Sequence, residues 1–450
     1  MSGFKRFLLI VVVLAVIGGI GILALAYLPT TTRQIATPPA LDDKLIEAGR
    51  YAAVAGDCAA CHTAPGGKPF AGGLPIASPI GTIFSTNITP DPETGLGGIS
   101  LDDFDRLVRH GITRKGVTLY PAMPYPSYAR LSDADVTALY AYFTKAVAPV
   151  HAVNRKPDIP WPLSMRWPLG AWRKLFAPSP DAAPFDFARY SDPVVARGAY
   201  LVQVPGHCGS CHTPRALTLQ EKGLDETSAT FLSGGPVIDG WVAVNLRGNP
   251  ANGLGSWSAD DISASLRTGR NHGHAVVGTP MKDVILHSTE DMTDDDVKAI
   301  SAYLKTLTPA TGTSASFTAN AKTAQDLAAG KEGSRGAELY IDNCSACHHT
   351  DGQGKGRTFP AIAGNPTVLA DNPASLIRLV LEGNALPSTI TAPSNLGMPG
   401  FGWRLSDSEV AELVTFIRQS WGNSAPATSA AAVAPIRRAI AEKQASKTGE

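Results

Sequence analysis

The chain has no surplus of charge of either sign. Lys and Arg number 39, Asp and Glu also 39, and together they make up only 17% of the residues. Nothing in that balance suits a polyanion, which argues against nucleic acid as a partner. There is no Gly-rich phosphate loop, no nucleophile beside a base and no paired-carboxylate signature, so hydrolytic and phosphoryl-transfer chemistry lack their usual groups. Methionine is scarce, at six residues, and the cysteines are also only six.

Those cysteines fall in three copies of one spacing: Cys58-Ala59-Ala60-Cys61-His62, Cys208-Gly209-Ser210-Cys211-His212 and Cys344-Ser345-Ala346-Cys347-His348. No thiol is left over for a disulfide or a nucleophile. Two thiols three positions apart can each add to one vinyl group of a haem, and the adjoining imidazole then reaches the iron as proximal ligand. Zinc fits worse, because a structural zinc takes four ligands and each motif offers three. The spacing predicts three covalently bound haems c.

Each motif sits in a longer repeat. A short helical stretch precedes it: Glu47 to Tyr51, Ala196 to Tyr200 and Arg335 to Tyr340. An amphipathic helix closes each unit, running from Leu131 to Lys145, Met292 to Leu307 and Leu405 to Trp421. All three closing segments carry Ser or Thr followed three residues later by Asp or Glu, close to a capping box, with Leu or Met before it as a hydrophobic staple. Asn87 to Asp103 aligns without gaps on Asn245 to Asp261, an offset of 158. The expected fold is all-α: three tandem cytochrome c-like domains after an N-terminal transmembrane helix. At ~150 residues per domain the length of 450 agrees. The expected boundaries are 41–150, 190–310 and 331–422, with a Trp/Pro-rich connection at 151–189, a polar linker at 311–330 and a mobile tail at 423–450.

A haem iron with histidine on one face needs a second ligand or keeps an open position. Met1 begins the chain, Met165 lies in the connection and Met292 occupies the staple position. That leaves Met123, Met281 and Met398, one per unit, each expected in an irregular Pro-containing loop shortly before the closing helix; the first two differ by the same offset of 158. His/Met ligation raises the reduction potential and fills both axial sites, giving an electron carrier that binds no substrate. The competing ligands are His110, His151, His207, His272, His274, His287 and His349, none repeated at the offset and all read as surface or supporting residues, with His272 and His274 the pair to watch.

At the N-terminus Lys5 and Arg6 precede 22 uncharged, mostly apolar residues from Phe7 to Leu28. That exceeds a signal-peptide core and matches the ~20 residues that span a bilayer. The positive-inside rule then puts the N-terminus in the cytoplasm and the remainder outside it. A long cleavable leader is the alternative, since Ala24-Leu25-Ala26 resembles a cleavage site. The connection from Pro160 to Lys174 holds three of the seven tryptophans and reads either as a docking surface, for a partner subunit or the lipid headgroups, or as packing between the first two units.

Taken together, the haem motifs, the stretches Thr86 to Pro92 and Tyr120 to Ser127, the Trp161 to Trp172 segment and the closing helices resemble a known family over nearly the whole chain. It is the triheme cytochrome c subunit of bacterial membrane-bound dehydrogenases, periplasmic oxidases of alcohols, aldehydes, gluconate or polyols. The resemblance implies haem binding by Cys58, Cys61, Cys208, Cys211, Cys344 and Cys347. It implies iron ligation by His62, His212 and His348 with Met123, Met281 and Met398. It further implies a separate catalytic subunit carrying pyrroloquinoline quinone, flavin or molybdopterin, ubiquinone as acceptor, and a place on the bacterial inner membrane with the haem domains in the periplasm. Alcohol-oxidising members typically begin with a cleavable leader, so the anchor-like N-terminus leans towards an aldehyde-oxidising molybdenum partner. A multihaem peroxidase, with one open haem, and a free-standing shuttle between respiratory complexes remain as alternatives.

Overall fold

The computed structural model describes all residues except 1–2, 31–33, 37–39, 272–276, 312–316, 395 and 449–450. The histidines at 272 and 274 therefore lie outside the described residues. The chain divides into two compact units.

The first unit comprises residues 1–186 with 204–207. It begins with the apolar helix α1 (Gly3–Tyr27), followed by α2 (Asp43–Ala55), α3 (Cys58–His62) and a hairpin of β1 (Pro75–Ser78) and β2 (Gly81–Phe84). Then come α4 (Leu101–Val108), the single turn α5 (Tyr125–Tyr128), α6 (Asp133–Lys145) and α7 (Trp167–Phe176). In the second unit α8 (Pro193–Gln203) and α9 (Gly209–His212) precede a two-residue hairpin, β3 (Val237–Ile238) with β4 (Trp241–Val242). The chain continues through α10 (Ala259–Thr268), the short α11 (Met281–Val284), α12 (Asp294–Thr306) and α13 (Lys322–Ala328). It ends with α14 (Arg335–Asn343), α15 (Ser345–His348), α16 (Pro366–Leu369), α17 (Ala374–Glu382), the hairpin of β5 (Gly383–Ala385) with β6 (Gly397–Pro399), α18 (Asp407–Gln419) and α19 (Ala430–Thr448).

One helix pair recurs three times: α2 packs on α6, α8 on α12 and α14 on α18. Each crossing passes over a glycine. A Cβ on Gly49 would lie 1.9 Å from the Ala138 carbonyl oxygen, on Gly198 1.9 Å from that of Ala299, and on Gly336 2.5 Å from that of Glu412. The missing methyl lets the backbones touch. The closing helices start as their sequences require: Ser132 Oγ accepts from Asp135 N, Thr293 Oγ1 from Asp296 N, and Ser406 with Glu409 completes a reciprocal capping box. The staple residues Leu131, Met292 and Leu405 are all buried. The aligned middles share a turn, since Asn87 Oδ1 accepts Thr89 N and Asn245 Oδ1 accepts Arg247 N.

The chain is mostly helical, with three two-stranded hairpins among the described residues. The second and third haem segments share one compact unit. Polar links join them: Val242 N donates to Ser375 Oγ (2.8 Å), Arg270 Nη2 to the Ala392 carbonyl (2.7 Å) and Arg357 Nη2 to Thr268 Oγ1 (2.9 Å). In the segment expected as a linker, Leu327 is buried in the third core, and Phe317 packs against that core. The tail at 423–450, expected to be mobile, contains α19, which packs on α17 and α18. Val433, Ile436 and Ile440 recur at helical spacing beneath its scattered charges, and Val433 and Ile440 are buried.

Candidate haem centres

In all three motifs the histidine closes a short helix and its ring is aimed by a backbone carbonyl. His62 Nδ1 lies 2.7 Å from Thr86 O, His212 Nδ1 2.7 Å from Val244 O, and His348 Nδ1 2.9 Å from Pro360 O. A carbonyl only accepts, so each Nδ1 carries the proton and each Nε2 keeps a lone pair. Burial lowers the pKa of all three imidazoles, which favours the neutral form a metal ligand must have. A carbonyl bond on the far ring nitrogen also fixes the ring's orientation.

The main chain repeats with the same regularity. The carbonyls of His62, His212 and His348 accept from Gly72 N (2.8 Å), Gly234 N (2.9 Å) and Gly354 N (3.1 Å). Gly72 at φ +73° and Gly354 at φ +60° are left-handed, and a Cβ there would meet the Thr86 backbone at 2.4 Å and Phe359 O at 2.1 Å. These glycines let the carbonyl-bearing segment come up to the imidazole. Gly72, Gly234 and Gly354 follow His62, His212 and His348 at unequal distances, so no fixed spacing in the sequence marks them for this role.

Cys344 is buried, Cys58, Cys208 and Cys211 are half-buried, and Cys61 and Cys347 are exposed; none of the six is in a disulfide. Burial pushes the thiols of Cys58, Cys208 and Cys344 up to about 12. Among the described residues no group of three or more His, Cys, Asp or Glu is placed to hold a bare metal ion. Neutral imidazoles with a free Nε2, beside paired thiols, fit a covalently attached haem.

Met123, Met281 and Met398 are each half-buried. Met123 lies in a turn closed by its N–H on Tyr120 O (3.2 Å), and Met281 opens α11 after a cis Thr279-Pro280 bond. Met398 was expected in an irregular loop but is the middle residue of β6, opposite Asn384. Met292 is buried at the staple, and Met165 is 38% exposed in the connection.

The other described histidines do not repeat. His151, exposed, lies 3.6 Å from both Asp91 and Glu93, and His287 and His349 are exposed. His207 is half-buried with Nδ1 2.8 Å from Pro205 O. His110, expected at the surface or in a supporting role, is instead buried beside Asp105 (Nε2 to Oδ2 3.9 Å), and both its ring nitrogens lack hydrogen-bond partners. In the connection, Trp172 packs edge-on against Tyr125 at 6.3 Å, whereas Trp161 is exposed.

Paired thiols with a carbonyl-aimed imidazole define a cytochrome c, in which haem iron is covalently held for electron transfer. The cytochrome c family model matches residues 195–308 and 333–421. The gluconate 2-dehydrogenase cytochrome c subunit of Pantoea cypripedii is 53% identical over 401 residues, 88% of this chain and 90% of that one. The alcohol dehydrogenase (quinone) cytochrome c subunit of Gluconobacter oxydans (strain 621H) is 50% identical over 391 residues, 87% and 81% of the two chains. The fructose dehydrogenase cytochrome subunit of Gluconobacter japonicus is 37% identical over 422 residues, 89% and 84%. The chain belongs to the family of cytochrome c subunits of membrane-bound, quinone-linked dehydrogenases.

Proposed function

We propose that this chain carries three haems c and passes electrons from a catalytic dehydrogenase subunit to ubiquinone in the membrane. The observation that carries the count is the threefold Nδ1–carbonyl bond, which the first motif makes as the other two do, although the family model matches only around the second and third. In this reading Cys58, Cys61, Cys208, Cys211, Cys344 and Cys347 hold the haems. His62 with Met123, His212 with Met281 and His348 with Met398 ligate the irons. Three cytochrome c domains occupy about 41–150, 190–310 and 331–422, the last enlarged by residues 317–330 and α19.

The haems, when bound, supply one-electron iron couples. The chain's own part would be to hold each imidazole neutral and oriented and to supply a thioether as second ligand. With both ligand positions filled, such a site would exchange electrons without taking substrate. Helix α1 anchors the chain in the inner membrane with Lys5 and Arg6 on the cytoplasmic side, which leaves the haem domains in the periplasm. The relatives' names support a catalytic dehydrogenase partner, and its pyrroloquinoline quinone, flavin or molybdopterin type is what the family resemblance implies. Those names favour gluconate, alcohols or sugars as its substrate over the aldehyde to which the N-terminus leaned.

Purification in mild detergent followed by reduction assays tests the reading. The complex should bring a catalytic subunit along, and its haems should be reduced by gluconate, ethanol, acetaldehyde, fructose or sorbitol and reoxidised by a ubiquinone analogue. A cytochrome that comes off alone is a shuttle. Stoichiometric carbon monoxide binding or peroxide turnover marks a peroxidase.

A further inference from the structure

Helix α7 is fastened to the exit end of α1. The backbone at Gly170 approaches so closely that a Cβ there would lie 2.6 Å from Ala26 O. Lys174 Nζ donates to the carbonyls of Leu25 (2.8 Å) and Leu28, and Arg173 Nη2 to Thr30 Oγ1 (2.5 Å). A cation on the last carbonyls of a helix is favourable, and lysine is a usual residue at a membrane boundary. About 20 residues cross the hydrocarbon. Counted from Phe7, the first residue after Lys5 and Arg6, they end at Ala26, where Gly170 makes its contact.

The connection turns apolar residues outward, Leu175 directly after Lys174, and Trp161 and Leu163 in the turn that leads into α7. Trp161 is 79% exposed, Leu163 52% and Leu175 60%. The segment is fixed to its unit: Arg166 donates to Thr118 O and stacks 3.8 Å over Tyr120, while Trp172 packs on the fully buried Tyr125. Exposed apolar groups held rigidly beside the end of a membrane span match the aromatic and aliphatic belt that sits among lipid headgroups.

We propose that the 161–165 turn and α7 form a foot that lies in the headgroup layer of the bilayer, burying Trp161, Leu163 and Leu175 in lipid and fixing the first unit against the membrane surface. The inference rests on reading α1 as a membrane span, and the test separates the two. In the haem-loaded full chain every native cysteine is a thioether, so one added cysteine takes a nitroxide label uniquely. Leu163→Cys, Leu175→Cys, Leu14→Cys within α1 and Leu217→Cys, at a site 98% exposed, would be labelled and reconstituted in phosphatidylethanolamine/phosphatidylglycerol vesicles, with haem absorbance as the check on folding.

Collisions with oxygen, which partitions into lipid, are compared with collisions with a water-soluble nickel chelate. The oxygen-to-nickel ratio at 163 and 175 should exceed that at 217 several-fold, approaching that at 14. Ratios at 163 and 175 equal to that at 217 overturn the foot while the anchor stands. Loss of both kinds of collision there also overturns it, since a protein surface then covers the segment. A water-like ratio at 14 removes the anchor and the foot together.

Discussion

Gly198→Ala tests the helix crossing on which each haem segment is built. The added Cβ would stand 1.9 Å from the Ala299 carbonyl oxygen and 2.9 Å from Tyr303 Cβ, where 3.4–4 Å is ordinary contact. The nearest atom belongs to backbone within α12, so no side-chain rotation relieves the clash and α8 must move away by about 1.5 Å, opening a junction normally packed at 8–10 Å between axes. Overpacking of this kind costs roughly 1–3 kcal/mol. Alanine recovers about 1 kcal/mol over glycine inside a helix. An approach of 1.9 Å to backbone belongs at the upper end of that range, about 2–3 kcal/mol, so the net loss is about 1–2 kcal/mol, a fall of about 2–8 °C in Tm for a unit of this size. Differential scanning calorimetry of the haem-loaded protein measures it. Gly49→Ala, with the same 1.9 Å approach, should behave alike, and Gly336→Ala, at 2.5 Å, should be milder. A Gly198→Ala protein as stable as the parent, or a Gly336→Ala protein worse than both, would refute the crossing argument.

Met123→Leu, Met281→Leu and Met398→Leu should each turn one haem into a lower-potential or high-spin form and slow quinone reduction; a variant that keeps all its His/Met spectra removes that methionine from the ligand set. Burial pushes His110 down to about 4, against ~6.5 for an unfolded histidine. The unfolded chain therefore binds the extra proton between those values, so the stability that the neutral ring contributes is full above pH ~6.5 and is lost, by up to about 3 kcal/mol, as pH falls to ~4. His110→Gln should flatten the profile of unfolding midpoint against pH over that range, and an unchanged profile would contradict the assignment. Removing residues 430–450 exposes the surfaces that Val433 and Ile440 cover, at roughly 1.5–3 kcal/mol for each buried side chain. The third core should then melt earlier in calorimetry, and an unshifted transition would mean that α19 contributes nothing.

The haem-motif spacing, the entry and closing helices and the capping residues were legible because each is local and repeated. Cys-x-x-Cys-His needs five neighbours, and Ser406 with Glu409 needs four. The carbonyl partners were not legible, since Thr86, Val244 and Pro360 stand 24, 32 and 12 residues beyond their histidines and contribute only backbone. Side-chain identity carries no trace of such a bond. Helix α19 was missed for another reason: alanines and charges suggested solvent, and its apolar stripe is only three residues deep. His110 is buried beside Asp105 and next to Arg109, which reaches Asp133 at 2.9 Å from another part of the first unit, a contact no local pattern displays.

The central claim is three closed haems on one chain. Haem quantitation per chain, combined with low-temperature electron paramagnetic resonance through a redox titration of the purified complex, addresses it most directly. The account predicts three haems per chain, all low-spin with His/Met signatures and inert to carbon monoxide. Two or fewer haems, or one stoichiometric high-spin centre in the intact complex, would contradict it.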